Sequence, residues 1–258
     1  MIEIEDLWKA YGDKQVLKGL SLTVRTGETV VILGRSGVGK SVLLKHVIGI
    51  AKADRGHIEI DNVRISDLRG EKLYRAGRNT GMLFQGSALF DSMDIAENTA
   101  FYLKQHGNPK TGKQYAKSEI TDMVDEALKM VDLSGVQRQM PSDLSGGMRK
   151  RAALARLIVY RPEYLLFDEP TTGLDPITAM QINELIVKTQ EELRTTSLVV
   201  THDMTSARFV GDRLALHRDG RIAHIADPDE FFHIDDPTIA FLKKVVSEDP
   251  RTLRRKRG

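Results

Sequence analysis

The chain has 258 residues, with 38 Lys and Arg against 36 Asp and Glu, a formal net charge of +2, and no cysteine. That balance does not argue for nucleic acid, and without Cys there is no disulfide framework, which fits a reducing cytosol. At 41% hydrophobic the chain can bury a substantial core; no stretch reaches the ~18 apolar residues of a membrane span, and the acidic start Met1-Ile2-Glu3-Ile4-Glu5-Asp6 is unlike a signal peptide.

Residues 1–33 alternate as strands: Ile2 and Ile4, then Leu20, Leu22 and Val24, then the unbroken apolar run Thr29-Val30-Val31-Ile32-Leu33. Such a run reads as a buried strand. The octet Gly34-Arg35-Ser36-Gly37-Val38-Gly39-Lys40-Ser41 follows it and matches G-x-x-x-x-G-K-[ST], the phosphate-binding P-loop. Val42-Leu43-Leu44-Lys45-His46-Val47 then reads as the start of a helix, which completes the strand–loop–helix context the motif needs. The glycines let backbone N–H groups close around phosphate oxygens, and the helix N-terminus adds partial positive charge. Lys40 is predicted to contact the β- and γ-phosphates, and Ser41 to bind Mg²⁺.

His57 to Ile65 alternates like a hairpin. Strand patterns then lapse from about residue 86 to 158, where Ile120, Met123, Val124, Ala127, Leu128 and Val131 recur at helical spacing. This predicts a helical insert. Leu89, Phe90 and Met93 are apolar in a segment expected at the surface, either packed inside the insert or forming a partner site. Ser145, Gly146 and Gly147 open a helix as a Ser N-cap followed by glycines. Alone that is an ordinary cap; its free N–H groups also make an anion site.

Tyr164-Leu165-Leu166-Phe167-Asp168-Glu169 is a second apolar run, ending in two carboxylates. As a parallel strand it places Asp168 beside the P-loop, where it can hold Mg²⁺ through water. Glu169 can polarise a water aimed at the γ-phosphate. Ile177 to Arg194 reads as a helix after Pro176, and His202 lies just past the strand Ser197-Leu198-Val199-Val200. The other histidines (46, 57, 106, 217, 224 and 233) show no metal-ligand spacing and read as surface or packing residues. A last hairpin turns at Asp219-Gly220, and short helices follow Asp227 and Pro237. Residues 251–258 carry five basic side chains in eight positions, either a solvated terminus or a segment held against an acidic partner.

Taken in order, these motifs resemble the nucleotide-binding subunit of an ATP-binding-cassette (ABC) transporter. Leu144-Ser145-Gly146-Gly147-Met148 matches the family signature, and Gln85, in Gly81-Met82-Leu83-Phe84-Gln85, its Q-loop glutamine. Gly173-Leu174-Asp175-Pro176 matches the D-loop, and His202, in Val199-Val200-Thr201-His202-Asp203, the switch histidine. Tyr11 sits where the family stacks an aromatic on adenine, with Trp8 a nearby competitor. The resemblance implies an α/β fold: a P-loop NTPase (RecA-like) core, an N-terminal antiparallel β subdomain and an inserted α-helical subdomain. The cassette would span residues 1–235, with the insert at about 86–158, and residues 236–258 would form a C-terminal helix and basic tail. It implies ATP and Mg²⁺, with Glu169, His202 and Gln85 catalytic and Ser41, Gln85 and Asp168 around the metal. Ser145, Gly146, Gly147 and Asp175 would serve nucleotide across a head-to-tail dimer with two ATP molecules between chains.

Met148 ends the signature where Gln is common, and Arg149-Lys150-Arg151 follows it. With the run Met82 to Met93, this resembles the ATPase of Mla/Mce-type phospholipid transporters. Two copies would then bind a dimeric MlaE-like permease at the cytoplasmic face of the inner membrane. An MCE-domain protein would sit on the far side, and some such systems add a STAS-domain subunit. An ABC ATPase for another cargo, such as an amino acid or a drug, is the rival reading. A non-transport ABC protein acting on nucleic acid or ribosomes usually carries a coiled-coil insertion or two fused cassettes, and neither appears here.

Overall fold

The computed structural model of the chain describes residues 1–35, 37–108 and 111–247, with side chains as far as residue 243. Ser36 and the basic segment 251–258 singled out above therefore lie outside the described residues. The chain starts as an antiparallel hairpin, β1 (Ile2–Tyr11) and β2 (Lys14–Val24), and then enters β3 (Thr29–Leu33) and α1 (Lys40–Val47). β4 (Arg55–Ile60) returns to the free edge of β1, with β5 (Val63–Arg64) beside it, which gives the sheet order β2-β1-β4-β5. Next come α2 (Gly70–Gly77), β6 (Thr80–Leu83), and the helices α3 (Ile95–His106), α4 (Lys117–Met130) and α5 (Gly146–Ile158). β7 (Tyr164–Asp168), α6 (Pro176–Leu193), β8 (Thr196–Thr201), α7 (Met204–Val210), β9 (Arg213–Arg218) and β10 (Arg221–Ala226) follow, before α8 (Pro228–Phe231) and α9 (Pro237–Ser247).

The second sheet has the order β10-β9-β3-β8-β7-β6, with β3, β6, β7, β8 and β9 parallel and β10 antiparallel at one edge. Side chains alternate across a strand, and here both faces are covered. Val31, Leu33, Leu165, Phe167 and Val199 enter one core cluster with α5, α6 and α7. Val30, Ile32, Leu166, Leu198 and Val200 enter another with α1 and the antiparallel sheet. Burial on both faces is why β3 and β7 read as unbroken apolar runs, with all five residues of each buried. The helices α3, α4 and α5 pack on one another, with Val124, Ala127 and Leu128 of α4 turned inward. An Asp94/Glu97 capping box starts α3.

Three elements had no expectation behind them: α2, β6 and α7. α2 has no fully buried residue; only Leu73 and Ala76, partly buried, pack against the core. β6 is four residues long and contains Gly81, where an added Cβ would meet Leu157 Cδ1 at 2.4 Å. That glycine lets α5 lie against the strand. The remaining expectations on sheet, insert and late helices match the observed elements. α9 is docked rather than loose, since Ile239 is fully buried in the larger cluster.

Candidate nucleotide site

Parallel register brings three loops to one edge. Leu33 pairs with Thr201, and Asp168 with Val200, so the loops after β3, β7 and β8 leave the sheet side by side. Leu83 of β6 pairs with Phe167, which carries Gln85 to the same edge. This is the carboxyl edge of an open parallel sheet, where such folds bind ligands. A cleft of about 450 Å³ opens there, lined among others by Tyr11, Lys40, Ser41, Gln85, Glu169 and His202.

The P-loop wraps the N-terminus of α1. Gly37 and Gly39 have φ of 77° and 106°, and a Cβ on Gly39 would lie 2.4 Å from Val16 Cγ1, so only glycine fits there. Lys40 is 5% exposed, and its Nζ donates to the carbonyls of Gly34 (2.7 Å) and Arg35 (3.1 Å). The same ammonium stands 3.2 Å from Glu169 Oε1. Glu169 Oε2 accepts from the Thr172 hydroxyl at 3.2 Å and the His202 backbone N–H at 3.3 Å, and lies 2.7 Å from His202 Nδ1. Glu169 itself adopts a left-handed φ of 48°, strain of the kind that collects at functional positions. The Ser41 hydroxyl donates to Asp168 Oδ1 at 2.7 Å. Burial pushes the Asp168 carboxyl above the usual carboxylate range, opposed by the Ser41 bond. A hydroxyl and a carboxylate in contact, both hard oxygen donors, fit a Mg²⁺ that takes its other ligands from phosphates and water. Among the described residues no group of three or more His, Asp or Glu could hold a metal unaided.

Not every predicted residue lies in this cleft. Gly34 and Arg35 take part through their carbonyls, and Val38 packs beside Gly34. Trp8 is tied to Asp6 by a 2.7 Å bond, whereas Tyr11 lines the cleft and is 51% exposed. Ser145 caps α5 by accepting from Met148 N–H at 3.3 Å. Asp175 caps α6, accepting from the Ile177 and Thr178 backbone N–H groups. Gly147 packs on Thr178, so signature and D-loop are neighbours, while neither reaches the cleft of its own chain. Of the apolar trio after Gln85, Leu89 and Met93 are partly buried and Phe90 is 40% exposed. Lys14, Val16 and Thr172 line the cleft without having been singled out. Thr172 was findable, lying three residues past Glu169 in the turn that closes on it.

The comparisons agree with this geometry. The family profile described as ABC transporter matches residues 17–172. "Probable ribonucleotide transport ATP-binding protein mkl" of Mycobacterium tuberculosis is 41% identical over 215 residues, covering 83% of this chain and 58% of that protein. This chain thus spans under two thirds of the length of that relative. "Protein TRIGALACTOSYLDIACYLGLYCEROL 3, chloroplastic" of Arabidopsis thaliana is 35% identical over 255 residues, with 93% and 72% covered. The ATP-binding cassette MJ0796, solved as a dimer in a post-hydrolysis state with ADP and Pi, superposes with a TM-score of 0.80 at 32% identity over 88% of this chain and 99% of that one. The chain belongs to the ABC transporter family and has the fold of its ATP-hydrolysing cassette. Among the described residues no helix is long and apolar enough to cross a membrane.

Proposed function

We propose that this chain hydrolyses ATP to drive a membrane permease. One observation carries the reading: P-loop Lys40, strand-end Glu169 and His202 form a single chain of contacts beside the Ser41–Asp168 pair. ATP would lie along the cleft with adenine on Tyr11 and its phosphates in the loop from Gly34 to Ser41. Lys40, already ringed by oxygen acceptors, would meet the β- and γ-phosphates. Ser41, Asp168 and Gln85 would hold Mg²⁺, which when bound supplies charge neutralisation at the phosphates. Glu169 takes the proton of the attacking water, and His202 holds that carboxylate in place and contacts the γ-phosphate. Ser145, Gly146, Gly147 and Asp175, remote from their own cleft, would complete the site of a second copy; the dimeric state of MJ0796 supports this. The cassette is taken as residues 1–235 with the helical insert at 86–158, and residues 236–258 as a C-terminal appendage.

For cargo we favour phospholipid, through a dimeric MlaE-like permease at the cytoplasmic face of the inner membrane, with an MCE-domain and in some systems a STAS-domain subunit. Met148 after the signature glycines supports this, as does the likeness to a plant protein that carries the name of a diacylglycerol lipid. The mycobacterial relative is named for ribonucleotide instead, so an ABC ATPase for another cargo is the second reading. Co-purification with an MlaE-like permease separates the two. The chemistry is tested by Glu169→Gln, which should keep ATP binding and lose about 10²–10⁴ in turnover. Near-normal hydrolysis in that variant would reject Glu169 as the base.

A further inference from the structure

The helix that carries the signature also grips the backbone of the Gln85 loop. Lys150, on α5, donates its ammonium to the Gln85 carbonyl. Farther along the same helix, Arg156 donates to the Ala88 carbonyl at 2.7 Å and the Ser87 carbonyl at 3.4 Å. Its guanidinium also stands 5.6 Å from the centre of the Phe90 ring. Between those anchors the backbone is bent: Ser87 and Ala88, neither of them glycine, have left-handed φ values of 64° and 51°. A backbone held in that shape needs its surroundings to impose it.

Lys150 is the more informative anchor. It is 5% exposed, and burial pulls its amine below the ordinary lysine value, opposed by the charge of Asp168. A buried ammonium is costly unless its hydrogens find acceptors. Here the acceptor is the carbonyl of the one residue in that loop expected at the metal, and the nearby charge is the carboxylate expected at the same metal. A helix surface could have been covered by an aliphatic side chain at far less expense. We propose that Lys150 is a positioning residue: it fixes the Gln85 loop to α5, so that the helix whose N-terminus is the signature also sets where the Gln85 carboxamide stands over the metal. The proposal rests on the reading of Gln85 as a metal contact. A displacement of α5 at its signature end is then passed to Gln85 through two side chains, without any change in the P-loop.

The test uses the full-length chain and four variants: Gln85→Ala, Lys150→Met, Lys150→Gln, and Gln85→Ala with Lys150→Met. ATP affinity is measured without metal, Mn²⁺ affinity of the ATP complex by electron paramagnetic resonance, and hydrolysis over a range of Mg²⁺. Lys150→Met should weaken Mn²⁺ binding by about 10–100-fold, the range for residues that orient metal ligands, and leave ATP affinity alone. Lys150→Gln, which can still donate to the carbonyl, should recover part of the loss. The double variant should be no worse than Gln85→Ala, because residues acting through one group are not additive. Normal Mn²⁺ affinity in Lys150→Met beside a weakened Gln85→Ala would overturn the proposal, as would additive losses. Normal Mn²⁺ affinity in Gln85→Ala would instead remove the metal role of Gln85, and the proposal with it. Should Lys150→Met not fold, Arg156→Gln frees the loop from its other anchor and carries the same comparison.

Discussion

His217 makes the stability of this chain depend on pH in a calculable way. β9 sets it under the P-loop, its carbonyl 3.0 Å from where a Cβ on Gly34 would stand. The side chain is 2% exposed, and neither ring nitrogen has a hydrogen-bond partner among the described residues. Burial, and after it the Lys40 ammonium, push the imidazole down from 6.5 to about 4. An unfolded chain therefore takes up the proton near pH 6.5, while the folded one stays neutral to about pH 4. Between those values the unfolded state binds more protons, so stability is full above pH 6.5 and drains away as pH falls. At about 1.36 kcal/mol per pH unit, the loss is about 2 kcal/mol at pH 5 and about 3 kcal/mol by pH 4. His217→Leu removes the titration and the two unpaired nitrogens while roughly keeping the volume. Urea unfolding at pH 7.5 and pH 5 of both proteins isolates the term, because other titrating groups cancel in the comparison. The variant should lose about 2 kcal/mol less than the parent between the two pH values, with unchanged m-values. Equal losses in the two proteins would refute the assignment.

Three further substitutions test the interfaces. A Cβ on Gly147 would come within 2.5 Å of Thr178 Cγ2, and Thr178 is held by a 2.5 Å bond to Asp175. Gly147→Ala should cost about 1–3 kcal/mol in thermal or urea unfolding, and Thr178→Ser in the same chain should restore most of it; no restoration would mean that this overlap is not the cause. Ser145→Arg fills the space before the α5 cap, so the ATP-bound dimer of a Glu169→Gln background should no longer form by size exclusion while monomer ATP affinity holds. A dimer that still forms counts against the trans site. Phe90→Asp places a charge on a ring that is 40% exposed and 4.7 Å from Phe101. If Phe90 forms the partner site, the variant should leave circular dichroism and ATP binding intact and release the permease; a variant that still binds and drives the permease would leave only the packing reading for Phe90.

Much of this protein was legible before its structure because the relevant physics is local. The strand–loop–helix around Lys40 depends on consecutive residues, with glycines where positive φ and close approach are required. β3 and β7 announced themselves because a strand buried on both faces must be apolar at each position. The Ser145 cap was readable for the same reason, since a helix end is satisfied by the residue beside it. α2 and β6 were not, as one buries nothing fully and the other is a four-residue edge strand made by its pairing with β7.

What tertiary structure alone decided are meetings between distant residues. Ser41 reaches Asp168 across 127 positions, and Lys150 reaches the Gln85 carbonyl across 65. His217 belongs to a strand whose pattern is simply buried, and it is burial in the assembled fold, with the Lys40 ammonium after it, that lowers its proton affinity. Periodicity reports how much of an element is covered, averaged along it. It carries no information on which element does the covering, and at this site the covering elements are what set charge, proton affinity and position.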